Sequence, residues 1–276
     1  MNPRPRPPSG KPLGFPTPPS AVLPPRGRAT GRVLVVGGSE EYAGAPYLAG
    51  IAALRAGAES VVVMAPEQVA WAINALSPDL MTRKLPGRWL SRAHERAIRR
   101  MMKTADILLV GNGAGVLPGT AALMRSLMLS PLPKVVDADA LKVLRGNAVR
   151  NAILTPNAGE WALLEKNNDI EKLLAAKNVI VRKGPATAIL SGTRTFIVRA
   201  NEGLQKAGTG DVLAGMIAGF LAAGLSPLAA AKKACETGNT VADILTKKKR
   251  GYHFLASDLA GELVSFSSGK SGKGAA

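Results

Sequence analysis

The chain holds one cysteine, Cys235, in 276 residues, so neither an intrachain disulfide framework nor a cysteine metal site can be built from it. Such scarcity points to a reducing, cytoplasmic setting. Only two histidines occur, His94 and His253, and neither has a companion at ligand spacing, which excludes a zinc site of the usual kind. Aromatic residues make up 4%. No RRM, KH or helix-turn-helix signature accompanies them, so sequence-specific nucleic-acid readout is excluded as the main business of the chain. Uninterrupted apolar runs are also short. The longest candidate, Val212 to Leu225, is broken by glycines and falls below the roughly 18 to 20 residues of a membrane span. A soluble protein without a membrane partner is expected. Acidic residues are absent from the first 32 positions, and ten of the twenty prolines lie in the first 27. With no apolar h-region, that stretch reads as a polyproline-prone tail rather than a signal peptide.

What remains is the composition of a globular domain, 46% hydrophobic and 20% charged. The net charge is +17, and the two tails, residues 1–32 and 270–276, carry eight of those charges. The body is therefore only moderately basic, and nonspecific nucleic-acid contact, if made, belongs to the tails. The expected organisation is a Pro/Arg-rich tail over 1–28, one α/β domain over 29–268 and a basic tail over 269–276.

Short apolar, mostly β-branched runs alternate with Ala/Leu-rich helical stretches. RVLVV (32–36), SVVVM (60–64), ILLV (107–110), KVVD (134–137), AILT (152–155) and VIVRK (179–183) read as strands buried on both faces. That pattern predicts a mainly parallel sheet flanked by helices on both sides. Past residue 183, ATAILSG and TRTFIVRA read as an edge hairpin turning at Gly192-Thr193, and three helices follow from about 209, 226 and 256. In SRAHERAIRRMMK (91–103), Ala93, Ala97, Ile98 and Met101 mark an apolar helix face, and His94 is expected at the surface among the charges.

In such sheets chemistry collects beyond the carboxyl ends of the strands. The loops there read GGSEEYAGAP, GNGAG, DADAL, TPNAGE and KGPAT. GNGAG does not match a dinucleotide fingerprint, since it lacks the G-x-G-x-x-G spacing and is not at the first strand. SSGKSGK near the C-terminus has Val264 where a Walker A loop needs its first glycine. KAGTGDVLAG (206–215) is more telling. Gly208 and Gly210 would leave the first N–H groups of an apolar helix open to an anion, although Asp211 or Thr209 as a simple N-cap explains the same residues.

KAGTGDVLAGMIAGFLAAGLSP resembles the anion-hole and catalytic-aspartate motif of ribokinase-like kinases. Together with YAGAPYLAGIAALRAGA, VVDADAL, AILTPNAGEWALL, VRKGPAT and FLASDL, the chain is similar over residues 31 to 266 to the NAD(P)H-hydrate dehydratase family. The resemblance implies a ribokinase-like fold and an enzyme, a carbon-oxygen lyase, that restores NADH or NADPH from its hydrate. The reaction would consume ADP, as in most bacteria and archaea, or ATP, as in eukaryotes, with Mg²⁺. It implies Asp211 as the base, with the N–H groups of Gly208, Thr209 and Gly210 on the transferring phosphoryl group. Ala45, Gly113, Asn157 and Asp211 correspond to the hydrate-binding set, and Lys183, Gly184, Pro185, Ala186 and Thr187, with Gly210, to the nucleotide set. Glu160, and less directly Asp137, correspond to magnesium-linked carboxylates. A homotetramer, and an epimerase for the R epimer on a separate chain, are implied as well. Two positions depart from the bacterial pattern: Asn157 stands where His is usual, as in eukaryotic relatives, and Gly111-Asn112-Gly113 stands for Gly-Pro-Gly. A small-molecule kinase on the same fold, and a basic nucleic-acid-associated protein, are the competing readings.

Overall fold

The computed structural model describes residues 30–263; the expected tails over 1–28 and 269–276 lie outside the described residues. Nine strands, β1 (Arg32–Val36), β2 (Ser60–Pro66), β3 (Met81–Leu85), β4 (Ile107–Val110), β5 (Lys134–Val136), β6 (Ala152–Leu154), β7 (Val179–Arg182), β8 (Ala186–Ser191) and β9 (Arg194–Arg199), form one sheet in the order 3-2-1-4-5-6-7-8-9. The first seven are parallel, and β8 and β9 run antiparallel as the predicted hairpin. Strand order reverses at β1 and β4, which opens a crevice beyond their carboxyl ends. There Gly38 N–H donates to the Asn112 carbonyl at 2.8 Å.

Alternate residues of the central strands serve two separate cores. Val33, Val35, Leu109 and Val181 face one, and Leu34, Val36, Val110 and Ile180 face the other. This two-sided burial is why those runs read as continuously apolar. Helices α1 (Gly44–Arg55), α2 (Glu67–Leu76), α8 (Thr209–Ala222), α9 (Pro227–Lys248) and α10 (Ala256–Glu262) contribute to the first core. Helices α3 (Glu95–Met102), α4 (Pro118–Met128), α5 (Asp139–Val143), α6 (Ala158–Asn167) and α7 (Ile170–Ala175) cover the other. No helix among the described residues is long and apolar enough to cross a membrane.

Two expectations are corrected. MTRKL forms strand β3, which is not among the expected strands. It lies at the sheet edge, with Met81 and Arg83 exposed and Thr82 and Leu85 buried, so it alternates instead of reading as one apolar run. The GNGAG loop thus follows the fourth strand, not the third. In 91–103 the buried stripe is His94, Ile98 and Met102, one position on from Ala93, Ala97 and Met101. His94 is inside because its ring closes a cap: Nδ1 accepts from Ser91 N–H at 3.0 Å, and Nε2 lies 2.9 Å from the Pro86 carbonyl.

Helix α8 fixes the site. Eleven of its fourteen residues are buried, and it packs closely on α1. A Cβ on Gly215 would strike the Ala49 carbonyl, and one on Gly219 the Ala53 carbonyl. Glycine at this four-residue spacing lets the two backbones approach, and the N-terminus of α8 is thereby held rigidly at the strand ends.

Candidate active site

The simple-cap reading of GTGD fails in the structure. The N-cap of α8 is Gly208, in the left-handed conformation at φ 85°, and no side chain caps the helix. Asp211 instead turns away and accepts a hydrogen bond from Asn112 Nδ2 at 2.7 Å. The N–H groups of Gly208, Gly210 and Asp211 have no backbone partner among the described residues, so the helix end is free to take an anion. Thr209 departs from expectation. Its N–H donates to the Lys206 carbonyl at 3.3 Å, and its hydroxyl is engaged by Leu204 and Lys206 carbonyls at 2.5 and 2.7 Å. Thr209 therefore shapes the turn, and the open donors are those of its neighbours.

Asp211 faces a cavity of ≈ 530 Å³. Strand ends supply one wall: Asp137 and Ala138 after β5, Asn157 and Glu160 after β6, Lys183, Gly184 and Pro185 after β7, and Thr187 in β8. Helices supply the other, with Gly208, Thr209, Gly210, Leu213 and Met216 from α8 and its approach, and Ala234, Cys235 and Gly238 from α9. Most of the expected set is thus brought together. Ala186 is not in the wall, because it begins β8 as an exposed residue paired with Arg199. Ala45 and Gly113 lie outside it too and meet each other: a Cβ on Gly113 would stand 3.1 Å from Ala45 Cβ. Asn112, the neighbour of Gly113, is also outside the wall but hydrogen-bonds two residues in it, Asp137 and Asp211.

A buried polar network joins these walls. Lys183 Nζ donates to Asp137 Oδ1 at 2.9 Å and lies 4.0 Å from Glu160 Oε2. Thr155 Oγ1 donates to the same Asp137 oxygen at 2.7 Å, and Asn112 Nδ2 to the other at 3.0 Å. Asp137, 1% exposed, is thus held by three protein donors, and the N-cap of α5 is its neighbour Ala138. N-x-x-E forms a reciprocal capping box: Glu160 N–H donates to Asn157 Oδ1, and Asn157 N–H to Glu160 Oε2, both at 2.9 Å.

The electrostatics follow from burial. Burial opposes the charge on Lys183, but Asp137 and Glu160 beside it outweigh that and hold its ammonium above the ordinary lysine value. Burial raises the Glu160 carboxyl, against Lys183 and the Asn157 N–H. Asp211 is pushed up to about 6 by burial and by the charge on Asp137, opposed by the Asn112 hydrogen bond and Lys183. A carboxylate near pH 6 suits proton abstraction at neutral pH. Lys183 also reaches the helix end, since a Cβ on Gly210 would lie 3.1 Å from its Nζ. An ammonium and three open N–H groups converge beside a base, which is an arrangement for phosphoryl chemistry.

Among the described residues no group of three or more His, Cys, Asp or Glu side chains could hold a metal ion. Asp137 has both oxygens engaged, while Glu160 Oε1 accepts no hydrogen bond among the described residues. One such oxygen fits a magnesium ion that keeps most of its waters and rides on a polyphosphate, and it does not amount to a protein cage. Sequence reasoning missed Asn112 as a member of the site. Its one signal was a polar residue between two glycines at a strand end.

A mainly parallel sheet flanked by helices on both faces and closed by an edge hairpin is the fold of the ribokinase-like class. A ribokinase-like superfamily protein from Enterococcus faecalis superposes with a TM-score of 0.75 at 22% identity over 86% of this chain and 87% of that one. Within the class, the chain belongs to the NAD(P)H-hydrate dehydratase family, whose sequence model matches residues 33–264. It is 38% identical over 245 residues to the bifunctional NAD(P)H-hydrate repair enzyme Nnr of Pyrobaculum aerophilum, with 83% of this chain and 49% of that protein aligned. The chain thus spans about half the length of that relative. It is 33% identical to the ADP-dependent (S)-NAD(P)H-hydrate dehydratase of Cenarchaeum symbiosum, over 83% of this chain and 85% of that one. The Bacillus subtilis ADP/ATP-dependent NAD(P)H-hydrate dehydratase co-crystallised with ATP/Mg²⁺ matches at a TM-score of 0.72 and 26% identity, over 85% of this chain and 87% of that one.

Proposed function

We propose that the chain dehydrates the S epimer of hydrated NADH or NADPH at the expense of ADP, restoring the dihydronicotinamide. The observation that carries this is the placement of Asp211 at the open N-terminus of α8, facing a cavity it shares with Lys183. Asp211 takes the proton of the hydroxyl at C6 of the hydrate, and that oxygen attacks the terminal phosphorus of the nucleotide. As the phosphorus–oxygen bond to the leaving AMP breaks, the N–H groups of Gly208, Gly210 and Asp211 and the Lys183 ammonium take up the charge on the phosphoryl oxygens. The ring nitrogen then expels phosphate from C6, and loss of a proton from the neighbouring carbon returns the double bond. The balance is hydrate plus ADP to dihydronicotinamide, AMP and phosphate.

The nucleotide lies along Lys183, Gly184, Pro185 and Thr187, with Gly210 at its phosphates. Asn157 contacts the hydrate through the part of its side chain that the cap leaves free. Magnesium would sit on the polyphosphate with a water or direct bond to Glu160 and supply charge neutralisation. Asp137 holds Lys183 and Asn112 in place instead of ligating metal. ADP is preferred over ATP on the strength of the archaeal relative's name, and a homotetramer is the proposed assembly. The tests are phosphorus NMR of a reaction containing hydrated NADH, ADP and Mg²⁺, and sedimentation for the assembly. AMP and orthophosphate should form in step with NADH, whereas a stable phosphorylated product would mark a kinase.

A further inference from the structure

Asn112 is fully buried, yet its carboxamide is used one-sidedly. Both N–H bonds are spent on carboxylates of different elements, Asp137 Oδ2 after β5 at 3.0 Å and Asp211 Oδ1 in the first turn of α8 at 2.7 Å, while Oδ1 has no hydrogen-bond partner among the described residues. A buried amide oxygen without a donor goes uncompensated for the water it has lost, so the arrangement is held by what the nitrogen does. Turning the amide over would present its oxygen to two carboxylates, and their charge fixes its orientation. Asp211 Oδ2, by contrast, accepts no hydrogen bond among the described residues, and the residue lines the cavity.

We propose that Asn112 is a positioning residue for Asp211, tying down Oδ1 so that Oδ2 is the oxygen presented to the substrate hydroxyl. The proposal rests on the dehydratase reading for its substrate, but its geometry stands without it. Because the same amide also grips Asp137, which is bonded to Lys183 at 2.9 Å, the base and the phosphate-side lysine are aligned through one side chain. The charges acting on Asp211 are Asp137 and Asp139 from the β5–α5 loop and α5, which disfavour its ionised form, and Lys183 from the end of β7, which favours it. Asn112 is the neutral group that keeps the two carboxylates at bonding distance from a shared donor instead of facing each other.

The test uses the full chain with Asn112→Leu, of similar shape but without the donors, and Asn112→Ser, smaller and able to donate once. Carbon NMR of ¹³C-labelled Asp side chains follows the Asp211 carboxyl against pH, with Asp211→Asn assigning the signal. In Asn112→Leu the midpoint should rise by about one pH unit and kcat fall by about tenfold to a hundredfold, the worth of a hydrogen bond to a charged group. The nucleotide KM should stay within about twofold, because Thr155 and Lys183 still hold Asp137 by its other oxygen, and Asn112→Ser should recover part of both changes. If Asn112→Leu melts too low to assay, Asn112→Ser is judged by the same two changes at smaller size. An unmoved midpoint overturns the proposal, whatever happens to activity. Failure of the dehydratase reading looks different: the unaltered protein would then form no NADH, while the NMR shift would still be present.

Discussion

Lys183 Nζ stands 2.9 Å from Asp137 Oδ1 and, from the same position, would stand 3.1 Å from a Cβ on Gly210. One ammonium therefore faces a buried carboxylate on one side and the open end of α8 on the other. With Asp137 almost without solvent exposure, Lys183→Gln would leave a buried charge short of its partner. That should destabilise the protein by about 3 kcal/mol and raise the nucleotide KM at least tenfold. Thermal melts and initial rates at varied ADP check the two effects separately.

Helix α8 should resist a substitution that helix propensity favours. Gly215→Ala gains up to about 1 kcal/mol in propensity, but the added methyl meets the Ala49 carbonyl and Ala52 Cβ. Overpacking against backbone costs about 1 to 3 kcal/mol, so the variant should be net destabilised. Because Gly215 is one turn from Asp211, kcat should fall with it, and a denaturant melt paired with a rate measurement shows both.

The pH behaviour of Asp211 has a definite sign. Its carboxyl titrates at about 6 in the fold against 3.8 for an ordinary aspartate, so the folded protein binds the extra proton between those values. Stability should rise as pH falls through that window, while kcat falls because the base is lost. At pH 7 the ionised carboxylate is a net cost, and Asp211→Asn should melt higher, by about 1 to 3 kcal/mol. Melting curves from pH 4 to 8 on both proteins give the comparison.

Lys134, the first residue of β5 and outside the cavity wall, supplies a second titration. It is 1% exposed, its Nζ donates to the Arg150 carbonyl at 2.8 Å, and it has no acidic partner among the described residues. Burial lowers it to about 8. Between about 8 and the ordinary 10.5 the unfolded chain holds the proton and the folded one does not, so stability should rise with pH across that range. Lys134→Met should abolish the rise and stabilise the protein near pH 7 by about 1 kcal/mol or more.

Much of this is legible in the sequence itself. Strands such as Val33–Val36 and Ile107–Val110 are buried on both faces and so declare themselves as apolar runs. The GTGD turn at 208–211 pointed to an anion site. What escaped were positions decided by tertiary neighbours. MTRKL is an edge strand with an alternating pattern, His94 is buried because a cap satisfies its ring, and Thr209 turns its donors into its own loop. Asn112 escaped for the same reason: its partners, Asp137 and Asp211, are 25 and 99 positions away, and no local spacing signals that.

The central claim is that Asp211 drives nucleotide-dependent dehydration of hydrated NADH. The direct measurement is recovery of dihydronicotinamide absorbance from the purified S hydrate with Mg²⁺ and ADP or ATP, run on the unaltered protein and on Asp211→Asn. The unaltered protein should restore absorbance, faster with ADP, and the folded variant should be slower by at least about a thousandfold. No recovery with either nucleotide, or undiminished recovery in the variant, would contradict it.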